Sequence, residues 1–345
     1  MIPLPPESGC ITDVRGVIAG HHTRSDRPTG CSVVMVPQGA VAAVDVRGAA
    51  PGTRETDLLR SGNLVQRIHA VVLSGGSAWG LDTATGVVAW MEEHGLGMET
   101  GFGHLPLVSA AVLFDLPTGN ARIRPTAQDG YAACTAASQK PLAQGNVGAG
   151  TGATVGKLFG NDCAMKGGIG SASLTLHGIT VGALVACNAV GDVRDAANGH
   201  LLAGSRKTPD SLELRDSMAS LVQGQSPATV LPGTNTTIGV IATDARLSRE
   251  LLQRLTVAGH DGLARCITPV HTLLDGDTLF ALATGQADVV DTPPPDALTL
   301  AAMASTVVSM AVHSAICSAQ SLRTDDSFWP SAAEAALAAR PRPQK

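Results

Sequence analysis

Short apolar runs rich in β-branched residues alternate along this chain with longer segments of helical period, and that alternation restricts it to layered packings of strands and helices. Cys31 to Val36, Val41 to Val46, Ala70 to Leu73, Ile179 to Ala186, Thr236 to Thr243 and Leu279 to Ala283 read as buried strands. Leu81, Ala84, Val88 and Met91 recur at helical spacing, and Ser248 opens a helix with Glu250 in its first turn and Leu251, Leu252 and Leu255 on one face. The stretch from Ala297 to Leu322 lacks Asp, Glu, Lys and Arg and is long enough to span a bilayer. It is built of Ala, Ser and Thr around His313, however, which suits a helix buried between protein layers better than a lipid span.

With 345 residues, 44% of them hydrophobic and 15% charged, the chain is large enough for one big core or two smaller ones. Its 39 glycines against five Phe, three Trp and one Tyr favour tight turns and close packing of small residues. A net charge of −5 without a Lys/Arg stripe argues against a nucleic-acid surface. The seven cysteines are scattered with no CxxC pair, so neither a disulfide framework nor a zinc site is expected. Met1 to Glu7 lacks the basic region and apolar run of a secretory signal, and a cytoplasmic protein with reduced thiols is the expectation.

Composition shifts most clearly over Gly204 to Asn235, which holds Arg206, Lys207, Pro209, Asp210, Glu213, Gln223 to Pro227 and Pro232-Gly233. Such a segment is expected to be an exposed linker, and a break at its end would leave both pieces packed. Residues 326–345, with Arg340-Pro341-Arg342-Pro343, are expected to form a tail.

Immediately after that segment stands Thr234-Asn235-Thr236-Thr237-Ile238-Gly239. By turn chemistry alone this is a polar turn entering a strand. A threonine at a new N-terminus, however, carries its own base in the freed α-amine, which titrates near pH ~8. Asp275-Gly276-Asp277 likewise reads alone as a hairpin turn, yet two carboxylates around one glycine are suited to hold a hydroxyl and an ammonium. Gly145 to Lys157 misses the P-loop spacing, with Thr151 and Leu158 at the positions that decide it. A glycine-lined cleft with Lys157 pointing in is the better expectation, and Gly148 and Gly150 fall in it. Leu73 to Gly80 misses the serine nucleophile elbow by one residue, Trp79, and reads as a tight strand-to-helix turn. Asn188 closes a strand, where its amide would be available to an oxyanion. His21, His22, His200, His260 and His271 show no metal-ligand spacing beyond one adjacent pair and read as solvated or core histidines.

Taken together, Thr29 to Val34, Val44 to Gly48, Pro51 to Thr56, Leu73 to Asp82, Gly148 to Gly152, Lys166 to Gly170, Asn235 to Ile238 and Asp275 to Phe280 resemble the L-aminopeptidase/D-esterase family of DmpA type. That family also holds β-aminopeptidases and endo-type 6-aminohexanoate (nylon) oligomer hydrolases. The resemblance implies an αββα sandwich of the N-terminal-nucleophile kind, matured by self-cleavage into fragments 1–235 and 236–345 that stay associated in one integrated domain. It also implies a homo-oligomer, commonly a tetramer, acting on amide or ester bonds of short peptides or peptide-like amides without metal or organic cofactor. Carried over, Thr236 matches the nucleophile, Asn235 the residue before the cut, and Asp275 and Asp277 the pair that orients it in nylon-oligomer hydrolases. Asn188 matches the oxyanion-side asparagine, Lys157 the lysine near the nucleophile, and Phe114 an aromatic cleft residue. Alternatives are an endo-acting oligoamide hydrolase, an acyltransferase of the ornithine acetyltransferase type, and an uncut peptide-binding protein.

Overall fold

Among the described residues, nine strands form one strongly bent sheet: β1 Ile18–Thr23, β2 Gly30–Val46, β3 Thr53–Arg54, β4 Arg67–Ser74, β5 Val108–Val112, β6 Gly168–Leu176, β7 Ile179–Asn188, β8 Thr236–Thr243 and β9 Thr278–Ala283. Their order is β6-β7-β8-β9-β2-β4-β5-β3, with β1 added on β2. The β8–β9 and β4–β5 pairs are parallel and the others antiparallel. This computed structural model describes residues 9–229, 233–288 and 295–338. Met1 to Glu7, Pro232 and Arg340 to Pro343, read above from sequence, lie outside the described residues.

The bend sits in β2. Cys31 to Met35 pair with β1 and β4, whereas Val41 to Val46 pair with β9, and the register shifts between Met35 and Ala40, where Gly39 takes φ +72°. A left-handed residue there lets the strand turn from one layer into the other. The two separate strands expected over 31–36 and 41–46 are therefore one.

Alternation along the strands then sorts side chains into three cores. Val34, Val71, Leu73, Leu184, Ala186, Ile238, Val240 and Phe280 meet between the two sheet layers. Cys31, Val33, Met35, Ala70 and Val72 face outward on one side, against α1 Thr83–Glu93 and α2 Ala127–Thr135. Ala183, Val185, Ile241, Leu279 and Ala281 face outward on the other, against α4 Arg249–Ala264 and α5 Ala297–Cys317. A short α3, Ser217–Val222, lies between the sheet elements in sequence. Helix, sheet, sheet, helix is the αββα order expected.

Ser248 caps α4, accepting from the Leu251 N–H, and Leu252 and Leu255 are buried; Leu251 is 41% exposed, so the apolar face is narrower than its sequence suggests. By length and composition α5 would cross a membrane. Here it packs on α4 and the β6–β7 sheet, with Val307, Val308, Ala311 and Val312 in the core.

Two expectations need correction. Gly204 to Asn235 is not uniformly exposed: Ser205, Arg206, Ser217 and Asn235 are buried, and the Asp192 carboxylate holds the first and third by taking the N–H groups of Ser205 and Ser217 at 2.9 and 2.7 Å. The tail expected from 326 is ordered structure as far as the description goes. Phe328–Trp329 pair with Leu322–Arg323, Trp329 is buried, and α6 spans Ala332–Ala338.

Candidate active site

The first residue of β8 stands directly across from the last residue of β7: Thr236 and Asn188 are partners in the antiparallel register. Both continue the face that carries Ile238, Val240, Leu184 and Ala186, so they lie at the open end of the inter-sheet core. Asn235 is fully buried and Thr236 is 3% exposed.

The Thr236 hydroxyl donates to the carbonyl oxygen of its own predecessor, Asn235, with Oγ1 2.5 Å from that oxygen. The backbone N–H of Gly276 donates to the same oxygen at 2.8 Å. One hydroxyl and one fixed donor therefore converge on a single buried peptide bond. Only glycine fits at 276. A Cβ there would stand 2.6 Å from the Ala50 oxygen and 2.9 Å from Thr236 Oγ1.

The turn that presents Gly276 is fastened from both sides. Ala50 N–H donates to Asp275 O, and Arg47 N–H to Asp277 O, each at 3.0 Å. The Asp275 carboxylate accepts from the Thr272 N–H and hydroxyl at 2.8 and 2.7 Å. Asp277 accepts from the Thr237 N–H at 2.7 Å through Oδ1, and from His271 Nδ1 at 2.8 Å and the His271 N–H at 3.1 Å through Oδ2. Burial and the neighbouring Asp277 charge push Asp275 above the ordinary carboxylate range. In this uncut chain neither aspartate bonds the Thr236 hydroxyl, as the sequence reading had it. Asp277 instead clamps the next residue, and Asp275 braces its own turn.

Lys157 does come to the site. Its buried ammonium donates to Asn188 O and Oδ1 at 2.9 Å each and lies 3.5 Å from Thr234 O. Desolvation lowers its pKa to about 7. The Asn188 side chain is engaged throughout. Its Oδ1 also accepts from the Thr154 N–H at 3.0 Å, and its Nδ2 donates to Phe114 O at 3.2 Å rather than toward Thr236.

A cleft of about 300 Å³ opens beside Thr234, walled by Phe114, Gly152, Lys157, Asn161 and Trp329. Phe114 is thus where the sequence reading put it. Gly148 and Gly150 are not. Both are buried away from the cleft, because a Cβ at Gly148 would meet Ser32 Oγ at 2.3 Å and one at Gly150 the Ile169 nitrogen at 2.2 Å. Their absent side chains serve close backbone packing, and Gly152 is the glycine that lines the cleft. The Leu73 to Gly80 turn is likewise structural, with Gly75 packed on Asp115 and Thr29.

Asp115, at the cleft wall, is fully neutralised. It receives Arg27 at 3.0 Å, the Thr29 hydroxyl at 2.5 Å and the Gly76 N–H at 2.9 Å, and neither Arg27 nor Asp115 exposes its side chain. Arg27, Thr272, His271 and Trp329 were not singled out in the sequence as site residues. The glycine between the two aspartates was the one local signal for the donor at 276. Among the described residues no cluster of three or more His, Cys, Asp or Glu is placed to hold a metal.

The model for peptidase family S58 matches residues 9–328. An uncharacterized aminopeptidase of Mycobacterium leprae (strain TN) is 46% identical over 312 residues, which cover 85% of this chain and 83% of that protein. A 6-aminohexanoate-oligomer endohydrolase of Kocuria sp. (strain KY2) is 34% identical over 287 residues, 81% of this chain and 76% of that one. Among solved structures, the L-aminopeptidase D-Ala-esterase/amidase of Ochrobactrum anthropi, a variant of the Ntn hydrolase fold, superposes with a TM-score of 0.70 at 21% identity, over 95% of this chain and 93% of that one. These likenesses bear out the layered N-terminal-nucleophile fold, and the match from residue 9 to residue 328 means that the chain belongs to peptidase family S58.

Proposed function

We propose that Thr236 is the nucleophile of a self-processing hydrolase that cuts amide and ester bonds of short peptides or peptide-like amides. By family the chain is a hydrolase of peptide or amide bonds. One observation carries the assignment of the nucleophile: the Thr236 hydroxyl and the Gly276 N–H meet on the Asn235 carbonyl oxygen, inside the protein. A buried peptide is out of reach of an external protease, so the attacking group must be internal.

The maturation step is an N-to-O acyl shift. Thr236 Oγ1 bonds to the Asn235 carbonyl carbon, the Gly276 N–H takes the developing oxyanion, and the C–N bond breaks as its nitrogen gains a proton. Water then hydrolyses the ester, leaving Asn235 as a carboxylate and Thr236 with a free α-amine. A preorganised donor at such an oxygen is worth ~3–4 kcal/mol of barrier. In the mature protein the Thr236 hydroxyl attacks the substrate carbonyl, its amine takes the proton and returns it to the leaving group, and water releases the acyl-enzyme. The cleft ends at Thr234 while the chain is whole, and the cut frees the path from cleft to nucleophile. Asp275, Asp277 and Lys157 hold the charge balance around the new ammonium. The fragments remain associated because β8 keeps both sheet neighbours. The proposal includes a homo-oligomer, supported by the bare Phe102 and Leu64 side chains and measured by light scattering.

Denaturing electrophoresis and intact mass test the assignment. Wild type is expected as two fragments joined at 235/236, and Thr236→Ala as one inactive chain; two fragments from Thr236→Ala would overturn it.

One observation favours a second reading, cleavage of internal amides. Asp115 is the sole acid on the cleft wall among the described residues, and Arg27 neutralises it, so nothing there grips a substrate ammonium. Comparing free and N-acetylated versions of one peptide amide decides between the two: trimming requires the free amine, internal cleavage does not.

A further inference from the structure

Two histidines pack behind Asp277 without any part in the chemistry above. His271 gives Nδ1 to the Asp277 carboxylate at 2.8 Å, and the His260 ring, from α4, sits edge-on to it with centroids 4.8 Å apart. His260 is fully buried and anchored by Nε2 to Asp45 O at 2.9 Å. The two remaining ring nitrogens, His271 Nε2 and His260 Nδ1, are buried without a hydrogen-bond partner. His271 also holds φ +55°, a left-handed conformation uncommon outside glycine that histidine and asparagine adopt more readily than most residues. In this setting the one side-chain hydrogen bond that His271 makes among the described residues is that from Nδ1 to Asp277.

We propose that His271 is a positioning residue for the Thr236 reaction. It fixes the second oxygen of Asp277, so that the first oxygen holds the Thr237 N–H and sets where the Thr236 hydroxyl lies against its target. The inference rests on Thr236 being the nucleophile. Among the described residues, the titratable groups packed on the imidazole are Asp277 in the turn and His260 on α4, with Asp45 on β2 beyond His260. His260 is itself pushed down to about 4 by burial, so it stays neutral at working pH. The imidazole therefore faces one direct carboxylate.

Two substitutions separate the hydrogen bond from the backbone conformation. His271→Gly accepts the left-handed backbone and removes the donor, while His271→Asn accepts that backbone and keeps a short N–H donor. His271→Gly is expected to slow both self-cleavage and kcat by about tenfold or more, the scale of one bond to a charged group, with KM within about twofold. His271→Asn is expected to recover most of that loss. Wild-type rates in His271→Gly, a loss that falls on KM instead of kcat, or equal losses in Gly and Asn would overturn the role. Failure of the nucleophile assignment shows separately, as cutting in Thr236→Ala.

Discussion

Gly276 and Thr236 address one atom from two sides: the N–H of the first and the hydroxyl of the second both end on the Asn235 carbonyl oxygen, at 2.8 and 2.5 Å. A donor on a carbonyl oxygen polarises it, and a hydroxyl beside the same carbonyl is within reach of its carbon. The arrangement exists before any substrate arrives.

Gly276→Ala tests that relationship. The added methyl would press on Ala50 O and Thr236 Oγ1 at 2.6 and 2.9 Å. Self-cleavage is expected to slow by about a hundredfold, the cost of losing one oxyanion donor's alignment. A gel time course after rapid purification reads it, and wild-type kinetics would contradict the geometry.

Asp115→Ala leaves the Arg27 guanidinium buried without its charge partner. Breaking such a pair costs about 3–5 kcal/mol. Urea denaturation in the Thr236→Ala background, where every sample is a single chain, measures the loss.

Lys166 is fully buried, donates to Gly150 O, Ala153 O and Gly167 O, and has its pKa lowered from 10.5 to about 7 by desolvation. Its folded value lies below its unfolded one, so between pH 7 and 10.5 the unfolded chain holds the extra proton and stability rises with pH. Below about 7 both states are protonated and the burial penalty is full. Lys166→Met removes this slope. The thermal midpoint of wild type relative to the variant is expected to rise between about pH 7 and 9; a constant difference would refute it.

Trp329 lines the cleft together with Phe114 and is 3% exposed. Trp329→Leu is expected to raise KM about tenfold with kcat little changed, since it removes binding surface common to ground and transition states. Self-cleavage, which uses no cleft, is expected at the wild-type rate.

Much of this was legible in the chain. Strand cores announced themselves because residues such as Val33, Val34, Val71 and Val72 are covered on both faces, and Ser248 marked a helix start through its capping oxygen. Thr236, Asp275, Asp277 and Lys157 drew attention by their company, and the fold gathers them at the ends of β7 and β8. What stayed hidden lacked a local pattern: Trp329 reaches the cleft of Phe114 only through the fold, and His271, though six residues from Asp277, sits in a turn whose shape the sequence does not announce. In the uncut chain the carboxylates are taken by Thr272 and by the Thr237 amide, partners that the sequence reading did not name. The bend in β2 was missed because a single Gly39 with a register slip looks like a gap between two strands.

β8 runs between β7 and β9, bonded on both sides, with Thr236 as its first residue. Severing the chain there converts a strand that arrived by connection into one that must be found by collision. An uncut variant should therefore regain its structure from denaturant at a rate independent of concentration, whereas the processed protein should recover only as a second-order event, or not at all. Maturation of this kind would be a one-way passage in assembly as well as in chemistry.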